Sequence, residues 1–455
     1  MSARSAHSVR AHRCVTMKGA MTGVAIARGL GQQVLTVVLG FGHGARLFPL
    51  TAERAKAALP FIGQYRLIDL VLSQCLNAGL RRIYVLTQFN SLSLNRHVMQ
   101  TYRFGRFSES AEFVEIIAAE QTLESQQWYR SPTDALRRAW RHFEPQPARH
   151  LLILPGDYIG RIALEEVVAF HMETEADLTL VVIAAEEPMA RTRGVVKIVG
   201  ADSPHPSGWR VLRYHEEPRE EALTDFRLLS DDAPYLVATG IYLFRRDVLA
   251  ALLEQATGPF DFGLELLPLA VARYRVYAYW HRGYWADVST IGAYYEAHMR
   301  MLDAEPPLSF YDPQAPLYTR PRYLPPAKIH ESEIVDSLIA DGSLVTGARV
   351  RRSILGLRSR VERGAHLEGV IAFGAEYFPT PEEQERDRAL GLPPIGIGEG
   401  AVIRRAILDR NVRIGAGARI VNEAGVRHAD GPNYYIREGI VIIPKNAVIP
   451  EATVI

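Results

Sequence analysis

The sequence predicts an α/β domain with a mostly parallel sheet, followed by a left-handed parallel β-helix. An apolar run at Val34–Leu39 breaks into a glycine-containing loop, and a helical segment at Leu70–Ala78 and a second apolar run at Ile83–Thr87 follow it. Strand, loop, helix and strand in this order are typical of a parallel α/β sheet. After a proline-rich stretch at 305–330, apolar residues recur every six positions, which is the period of a β-helix.

The chain of 455 residues is long enough for two or three domains with sizeable cores. The predicted segments are a disordered tail at 1–32, the α/β domain at 33–304, a linker at 305–330 and the β-helix at 331–455. The tail is basic and lacks the uninterrupted apolar core of a secretory signal. The sequence leaves the start open among Met1, Met17 and Met21.

Composition favours a soluble, cytoplasmic protein. The net charge of +1 gives no indication of a nucleic-acid partner or of an acidic membrane surface. Cys14 and Cys75 are too few for a disulfide framework or a zinc cluster, which fits a reducing compartment. No apolar run approaches the ~20 residues that a membrane-spanning helix needs.

The first candidate site is the loop that follows Val34–Leu39. Gly40, Gly42 and Gly44 could let the backbone approach a ligand and present N–H groups to phosphate. Arg46 and Lys56 could neutralise a polyphosphate. A tight turn with two solvated cations explains the glycine spacing equally well.

The order of residues from 42 to 69 is more specific than the glycines alone. It resembles the signature of sugar-nucleotide pyrophosphorylases and, among them, of the glucose-1-phosphate adenylyltransferases (ADP-glucose pyrophosphorylases). The matching residues are Gly42, Gly44, Arg46, Leu47, Pro49, Leu50, Thr51, Arg54, Ala55, Lys56, Ala58, Gly63, Tyr65, Arg66, Ile68 and Asp69. The resemblance continues through residues 76–97 and extends to the C-terminus.

This resemblance implies a Rossmann-like nucleotidyltransferase domain that converts ATP and glucose 1-phosphate into ADP-glucose and pyrophosphate for glycogen- or starch-type glucan synthesis. It also implies a Mg²⁺ cofactor, tetramers that are homomeric or formed with a paralogue, and a small-molecule allosteric effector bound between domains. Arg54 and Arg66 are candidate anion contacts, although surface arginines are usually only solvated.

On the nucleotide side, the resemblance assigns Gly42, Gly44 and Arg46 to the ATP phosphates and Lys56 to charge at the reacting phosphate, so that Arg46 and Lys56 count as catalytic. Gln88, after the strand Ile83–Thr87, is a candidate for a base edge or a plain strand-end polar residue.

Further along the chain, Asp134 lies in a nucleotide-loop motif and is equally suited to cap a helix at Ala135–Phe143. This side departs from the family pattern at three positions. Phe41 replaces a loop glycine and is expected to crowd the loop, and Ser131 and Pro132 replace glycine and threonine. Proline removes a backbone donor.

Two distant aspartates are the candidate metal ligands. Asp157 follows the apolar strand Leu151–Leu154, and Asp287 lies in a second family-like motif. Carboxylates beside a phosphate loop suit Mg²⁺. An aspartate after a strand is also a common turn residue. Ser289 replaces a family glycine and is expected to narrow the site.

The candidate sugar-phosphate residues are Tyr129, Gly194, Glu216, Glu217 and Ala238, and two of them depart from the family. Glu217 stands where the family has the lysine assigned to the phosphate of glucose 1-phosphate, and Ala238 replaces a sugar-contacting serine. Since two unit charges ~4 Å apart interact by roughly 4 kcal/mol at an effective dielectric of 20, this reversal would weaken phosphate binding strongly. Arg193 replaces an aromatic residue of the motif that contains Gly194.

Beyond the linker, Leu338, Leu344 and Val350 are spaced by six, and Leu355, Val361 and Leu367 repeat that triplet seventeen positions later. Coils of a β-helix explain this pattern, and a β-sandwich is the alternative. Residues 372–396 are predicted to be a loop between coils.

Three hypotheses follow for function. The chain is an adenylyltransferase with altered sugar-phosphate binding, a non-catalytic regulatory subunit of an intact paralogue, or a nucleotidyltransferase for a different sugar phosphate or nucleotide.

Overall fold

The structure is a computed structural model, and it describes residues 31–103, 112–121, 127–199, 208–227, 234–255 and 260–455. The predicted tail lies outside these residues except for its last two positions. The three candidate start residues and Cys14 also lie outside the described part of the chain.

The α/β domain is built on a mixed sheet of nine strands in the order β5-β4-β1-β6-β11-β8-β12-β10-β9, with two small two-stranded sheets beside it. Its strands are β1 (Val34–Leu39), β2 (Pro60–Phe61), β3 (Tyr65–Arg66), β4 (Arg82–Thr87), β5 (Phe113–Ala118), β6 (His150–Pro155), β7 (Tyr158–Gly160), β8 (Leu178–Ala185), β9 (Val195–Ile198), β10 (Gly208–His215), β11 (Tyr235–Arg245), β12 (Val276–Trp280) and β13 (Trp285–Asp287). The half that contains β1 is parallel, while β11 runs antiparallel to both β6 and β8.

Helices cover both faces of this sheet. They are α1 (Leu67–Asn77), α2 (Leu92–Thr101), α3 (Pro132–Phe143), α4 (Leu164–Glu173), α5 (Glu187–Ala190), α6 (Glu220–Leu223), α7 (Arg246–Gln255), α8 (Leu267–Arg273) and α9 (Ile291–Arg300), with single turns at Ala45–Leu47, Lys56–Ala58, Thr224–Phe226 and Phe262–Leu266. Strand β1 shows why the sheet is covered on both sides: Val34 and Val38 belong to one core cluster, and Leu35 and Val37 belong to the other. Within the described ranges, no helix is both long and apolar enough to cross a membrane.

The register of the sheet brings three chain segments to one edge. Leu39, at the end of β1, pairs with Leu86 of β4 and with Pro155 of β6. The glycine loop, Gln88 and Asp157 therefore all follow strands that end at this edge, as the sequence predicted. Strand β13 pairs with β7 so that Asp287 lies opposite Tyr158, which is the neighbour of Asp157.

The C-terminal domain consists of short strands stacked in parallel coils. Its elements are β14 (Lys328–His330), β15 (Glu333–Val335), β16 (Leu338–Ile339), β17 (Leu344–Thr346), β18 (Arg349–Arg351), β19 (Ile354–Leu355), β20 (Arg360–Val361), β21 (His366–Ala372), α10 (Pro381–Ala389), β22 (Gly396–Ile397), β23 (Val402–Leu408), β24 (Arg413–Ile414), β25 (Arg419–Ile420), β26 (His428–Asp430), β27 (Tyr435–Arg437), β28 (Ile440–Ile443) and β29 (Val448–Ile449). Strand β14 begins inside the segment predicted as linker.

The interior of the β-helix follows the predicted rhythm with two corrections. Its buried column contains Val345, Val350, Leu355, Val361, Leu367, Ala372, Ile397, Ile403, Leu408, Ile414 and Ile420. The predicted Leu338 and Leu344 are only half-buried. Val345 occupies the interior next to Leu344, and Ile339, next to Leu338, packs against that interior. Successive inward residues are separated by five or six positions because the chain turns at each corner, so a strict period of six misplaces the first coil.

Residues 372–396 are not simply a loop. They contain α10, which begins with a capping box in which Thr380 accepts a hydrogen bond from the Glu383 N–H and the Glu383 carboxylate accepts one from the Thr380 N–H. The coil resumes in register after this insertion, since Val361 pairs with Ile397.

The two domains share a core and a buried ion pair. Tyr294 of α9 and Phe373 of the β-helix belong to the same apolar cluster. Beside them Arg54 Nη1 lies 2.9 Å from a carboxylate oxygen of Asp409, and both side chains are buried. Arg54, a candidate anion contact from its sequence, therefore already has a partner across the domain interface.

We expect Asp409→Ala to destabilise the protein by about 3–5 kcal/mol, because it leaves the Arg54 guanidinium buried without its carboxylate. Urea unfolding measures this change. The matched control is Glu296→Ala, which breaks the exposed pair between Glu296 and Arg405 (3.3 Å) at the same interface and should cost about 1 kcal/mol or less. Equal losses in the two variants would contradict the importance of the buried pair.

Candidate active site

A cavity of about 330 Å³ opens at the edge of the sheet where β1, β4 and β6 end. It is lined by residues from loops and strand ends that are far apart in the sequence. They are Arg46, Lys56, Pro155, Asp157, Tyr158, Thr192, Arg193, Glu216, Glu217, Thr239, Trp285, Asp287 and Ser289. The four residues predicted to be catalytic therefore share one cavity.

Lys56 lies at the centre of the polar contacts in this cavity. The turn Lys56–Ala58 is buried and fixes the start of its side chain. Lys56 Nζ is 2.9 Å from Asp157 Oδ2 and 3.9 Å from Asp287 Oδ1, and it donates a hydrogen bond of 2.9 Å to Ser289 Oγ. Its side chain is only 11% exposed, so two carboxylates compensate a largely desolvated ammonium.

Asp287 has two further partners. The Arg193 guanidinium forms an ion pair with its second oxygen, and the Ser289 hydroxyl donates a hydrogen bond to its first. Burial alone would raise the pKa of Asp287, but Arg193 and Lys56, with the Ser289 hydrogen bond, outweigh it and hold the pKa below its ordinary value. Asp287 therefore stays ionised in its half-buried position.

The glycine loop places Arg46 on the cavity wall. Gly44 has a φ of 61°, and a Cβ there would come within 2.9 Å of Thr51 Cγ2, so this position requires glycine. The Thr51 hydroxyl donates a hydrogen bond of 2.9 Å to the Gly44 carbonyl. Gly42 is exposed, and a Cβ there would meet no atom of the described residues within 4 Å. Packing within the protein thus explains Gly44 and leaves Gly42 available to a ligand.

Phe41 does not fill the cavity. Its ring meets the Tyr129 ring edge to face, with 5.7 Å between centroids, and both side chains pack into the second core cluster of the sheet. Gln88 and Tyr129 are joined by two hydrogen bonds: the Gln88 amide oxygen accepts from the Tyr129 N–H at 2.6 Å, and its NH₂ donates to the Tyr129 carbonyl at 3.3 Å. Neither residue lines the cavity. The predicted base contact of Gln88 and sugar contact of Tyr129 therefore have no support in this geometry, and their roles stay predictions.

The cap predicted at Asp134 is wrong. Ser131 caps α3, and its hydroxyl accepts a hydrogen bond from the Asp134 N–H. Pro132 is the first residue of the helix, where a missing N–H costs little. The buried Asp134 carboxylate pairs with Arg137 (3.0 Å) and Arg138 (3.3 Å), outside the cavity. Ser131 and Pro132 therefore form the N-terminus of α3, and the backbone N–H that Pro132 lacks is not their only effect.

The wall assigned to the sugar phosphate carries two glutamates. The Glu216 carboxylate accepts a hydrogen bond from the Tyr214 hydroxyl, and burial raises its pKa above the ordinary value. Glu217 is exposed on the cavity wall and has a left-handed backbone, with a φ of 42°, which is uncommon for a residue other than glycine. The carboxylate at 217 thus belongs to the cavity rather than to the outer surface.

Gly194 and Ala238 stabilise the backbone next to this wall. Tyr214 packs on Gly194 so closely that no side chain fits there, and the Ala238 N–H donates a hydrogen bond of 2.8 Å to the Gly194 carbonyl. The hydroxyl of Thr239, next to Ala238, donates to the Val181 carbonyl at 2.9 Å inside the sheet. It does not replace the serine hydroxyl that Ala238 lacks.

Asp157 and Asp287 fit a divalent metal that takes its other ligands from a substrate. They are two carboxylates on one cavity wall, and Mg²⁺ is commonly held by one or two carboxylates together with phosphates. Among the described residues, no group of three or more histidine, cysteine or acidic side chains could hold a metal alone.

Sequence reasoning missed the contacts of Arg193 and Ser289 with Asp287. Both residues replace family residues that cannot form ion pairs or side-chain hydrogen bonds. This gain of polar side chains was the feature of the sequence that could have indicated new contacts. The position of the substituted residues in the cavity was needed to recognise what they contact.

We expect the contribution of Asp287 to stability to depend on pH. Because its folded-state pKa is lowered, that contribution is present above the ordinary pKa of an aspartate and is lost as the pH falls through the lowered value. Asp287→Asn should therefore be less stable than the parent at neutral pH, and the gap should narrow below about pH 4.

Urea unfolding over a pH series measures this gap. Asp225→Asn is the matched control, since it removes an exposed carboxylate that pairs with Arg213 at 3.2 Å and should change stability by about 1 kcal/mol or less. A gap for Asp287→Asn that widens on acidification would contradict the assignment of its lowered pKa.

Two family models match the chain. The model described as Nucleotidyl transferase matches residues 35–304, and the model described as GLGC left-handed parallel beta-helix domain matches residues 322–454. The predicted order, a nucleotidyltransferase domain followed by a left-handed β-helix, is confirmed. This domain pair is characteristic of the glucose-1-phosphate adenylyltransferase family, and the chain belongs to that family.

Proposed function

We propose that this protein transfers the adenylyl group of ATP to glucose 1-phosphate, forming ADP-glucose and pyrophosphate. The observation that carries the proposal is the position of Lys56 between Asp157 and Asp287 in a cavity that Arg46 also lines. Synthesis of a storage glucan in the cytoplasm, in a tetramer of this chain alone or with a paralogue, is the setting that we propose with it.

The reaction needs no covalent intermediate with the protein. An oxygen of the sugar phosphate attacks the α-phosphorus of ATP, a P–O bond forms, and the bond to the bridging oxygen breaks as pyrophosphate leaves. The protein contributes orientation and neutralisation of charge. Arg46 and the N–H groups near Gly44 would face the outer phosphates, and Lys56 would stabilise charge at the reacting phosphate.

Asp157 and Asp287 would hold Mg²⁺, which neutralises phosphate charge when bound. The protein must then let Asp287 exchange the Arg193 guanidinium for other partners. Ser289, which donates to Asp287 and accepts from Lys56, keeps the carboxylate and the ammonium aligned during that exchange.

A regulatory subunit of an intact paralogue is the second candidate function. Glu217 on the cavity wall and the missing hydroxyl at Ala238 favour it, since both changes weaken the expected hold on a sugar phosphate. The same two residues are compatible with a different sugar phosphate, which is the third candidate.

We also propose an anionic effector site between the two domains. Arg66 Nε is buried and has no hydrogen-bond partner among the residues that the structure describes. Burial and the nearby Arg410 lower the pKa of Arg66 to about 9 and that of Arg322 to about 10. The positive charges of these arginines repel one another, and an anion with several negative oxygens that contacts more than one of them would stabilise them.

The test of the main proposal is pyrophosphate release from ATP, Mg²⁺ and glucose 1-phosphate. We expect turnover by the parent chain and a loss of about 10²–10³-fold or more in kcat for Lys56→Ala, because a charge-stabilising group is removed from the reacting phosphate. The matched control is Lys445→Ala, whose lysine pairs with Glu376 at 3.2 Å outside the cavity.

The absence of turnover at millimolar sugar phosphate, with every sugar phosphate and nucleotide in a panel, would contradict the catalytic proposal. In that case addition of the chain to an intact paralogue tests the regulatory alternative. A change in assembly size or effector response would support that alternative, and no change would contradict it.

The effector proposal is tested with inorganic phosphate as the probe. Because a ligand that binds the native state stabilises it, the melting temperature should rise with phosphate concentration, and this rise should shrink in Arg322→Ala. The control is Arg405→Ala, an exposed arginine at the same interface. An undiminished rise in Arg322→Ala would contradict the assignment of the anion to the arginine cluster.

A further inference from the structure

Arg193 and Glu217 face each other across the end of one antiparallel strand pair. Strands β9 and β10 pair with Val195 opposite His215, and the Glu217 N–H donates a hydrogen bond of 3.2 Å to the Arg193 carbonyl just beyond. Both side chains line the cavity. A cation therefore stands directly opposite the position where the family resemblance placed a lysine and this chain has a glutamate.

Arg193 is the cation of this wall. Among the described residues that line the cavity, Arg46 and Lys56 enter from the glycine loop and the turn that follows it, whereas Arg193 stands beside Glu216 and Glu217. The charges of Arg193 and Glu217 both act on Glu216, the first lowering its pKa and the second raising it. Without Arg193, this wall would present two carboxylates and no compensating charge to an incoming phosphate.

The Arg193 side chain is held in place before any ligand binds. Its guanidinium lies over the Trp285 ring, 5.0 Å from the centroid, and its Nη2 pairs with Asp287. A guanidinium has five N–H donors in a planar fork, and this geometry matches two oxygens of a phosphate. A guanidinium that is held at Asp287 by its Nη2 can therefore also donate to a phosphate that enters the cavity.

We propose that Arg193 binds the phosphate of the sugar 1-phosphate, in place of the cation that position 217 lacks. The identity of this ligand rests on the proposed function. Compared with the family pattern, the positive charge at position 217 is lost and a positive charge at position 193 is gained. The wall thus keeps one positive charge, which has moved to the facing position. Arg193 is then a binding residue that sets the affinity for the sugar phosphate.

Arg193→Ala should raise the KM for glucose 1-phosphate at least about 30-fold while the KM for ATP changes little, because it removes the charged donors that pair with the phosphate of the sugar 1-phosphate. Arg193→Lys should recover part of the loss. The matched control is Arg213→Ala, which removes an exposed arginine from the same strand pair and should leave both KM values unchanged.

The reciprocal exchange is the sharper test. Arg193→Phe restores the family's aromatic type and should weaken sugar-phosphate binding as Arg193→Ala does. Adding Glu217→Lys to it should recover most of that loss, because the cation returns to the facing strand. Failure of the double variant to recover while it remains folded by circular dichroism would overturn the proposed exchange.

Calorimetric binding of glucose 1-phosphate separates this inference from the proposed function. If the parent binds the sugar phosphate without turning it over, and Arg193→Ala does not bind, the inference stands and the proposed activity falls. Turnover with an unchanged sugar-phosphate KM in Arg193→Ala overturns the inference alone. Equal losses for ATP and sugar phosphate indicate a structural role and overturn it as well, and a parent with neither binding nor turnover overturns both.

Discussion

The ammonium of Lys56 and the carboxylates of Asp157 and Asp287 form the interaction on which the site depends. The two aspartates are far apart in the sequence, and they meet because β1 and β6 end together and because β13 pairs with β7. A largely buried lysine is stable only where such carboxylates compensate it. The topology of the sheet and the charge of the cavity therefore support each other, since a shift of either strand pair would leave a buried ion without its partner.

The charge of the whole cavity limits what can bind there. Along the described part of its wall, three cations, Arg46, Lys56 and Arg193, face four carboxylates, so the wall is not positive overall. A free polyphosphate would meet repulsion from several of these groups. A nucleotide that arrives with a divalent cation brings its own compensation, and this fits the proposal of a magnesium–nucleotide substrate. Burial raises the pKa of Glu216, so this carboxylate loses its charge at a higher pH than an exposed glutamate does.

Local pattern predicted the elements of the fold, and tertiary contacts decided the details. Strand β1 was predicted at its observed bounds because apolar, β-branched residues of that length indicate a buried strand. The inward residue of the first coil is Val345 rather than Leu344. The chain turns at the corners of the β-helix, so the spacing between inward residues is sometimes five and sometimes six. A fixed period of six in the sequence does not show where it changes. Ser131 rather than Asp134 caps α3, because both residue types suit that role and only the backbone geometry selects between them.

The candidate site was partly predictable for the same reason. Matching motif residues such as Lys56 and Asp287 could be assigned to one site from the family resemblance, but the effect of a substitution could not be judged at its own position. Glu217 in isolation reverses the charge of the lysine that the family resemblance assigns to a phosphate. Together with Arg193 on the facing strand, it leaves the number of positive charges on that wall unchanged. Affinity for an anion depends on the field of the whole wall rather than on one residue. A chain that departs from its family at two facing positions can therefore retain a phosphate site that the departure at Glu217 alone would have weakened.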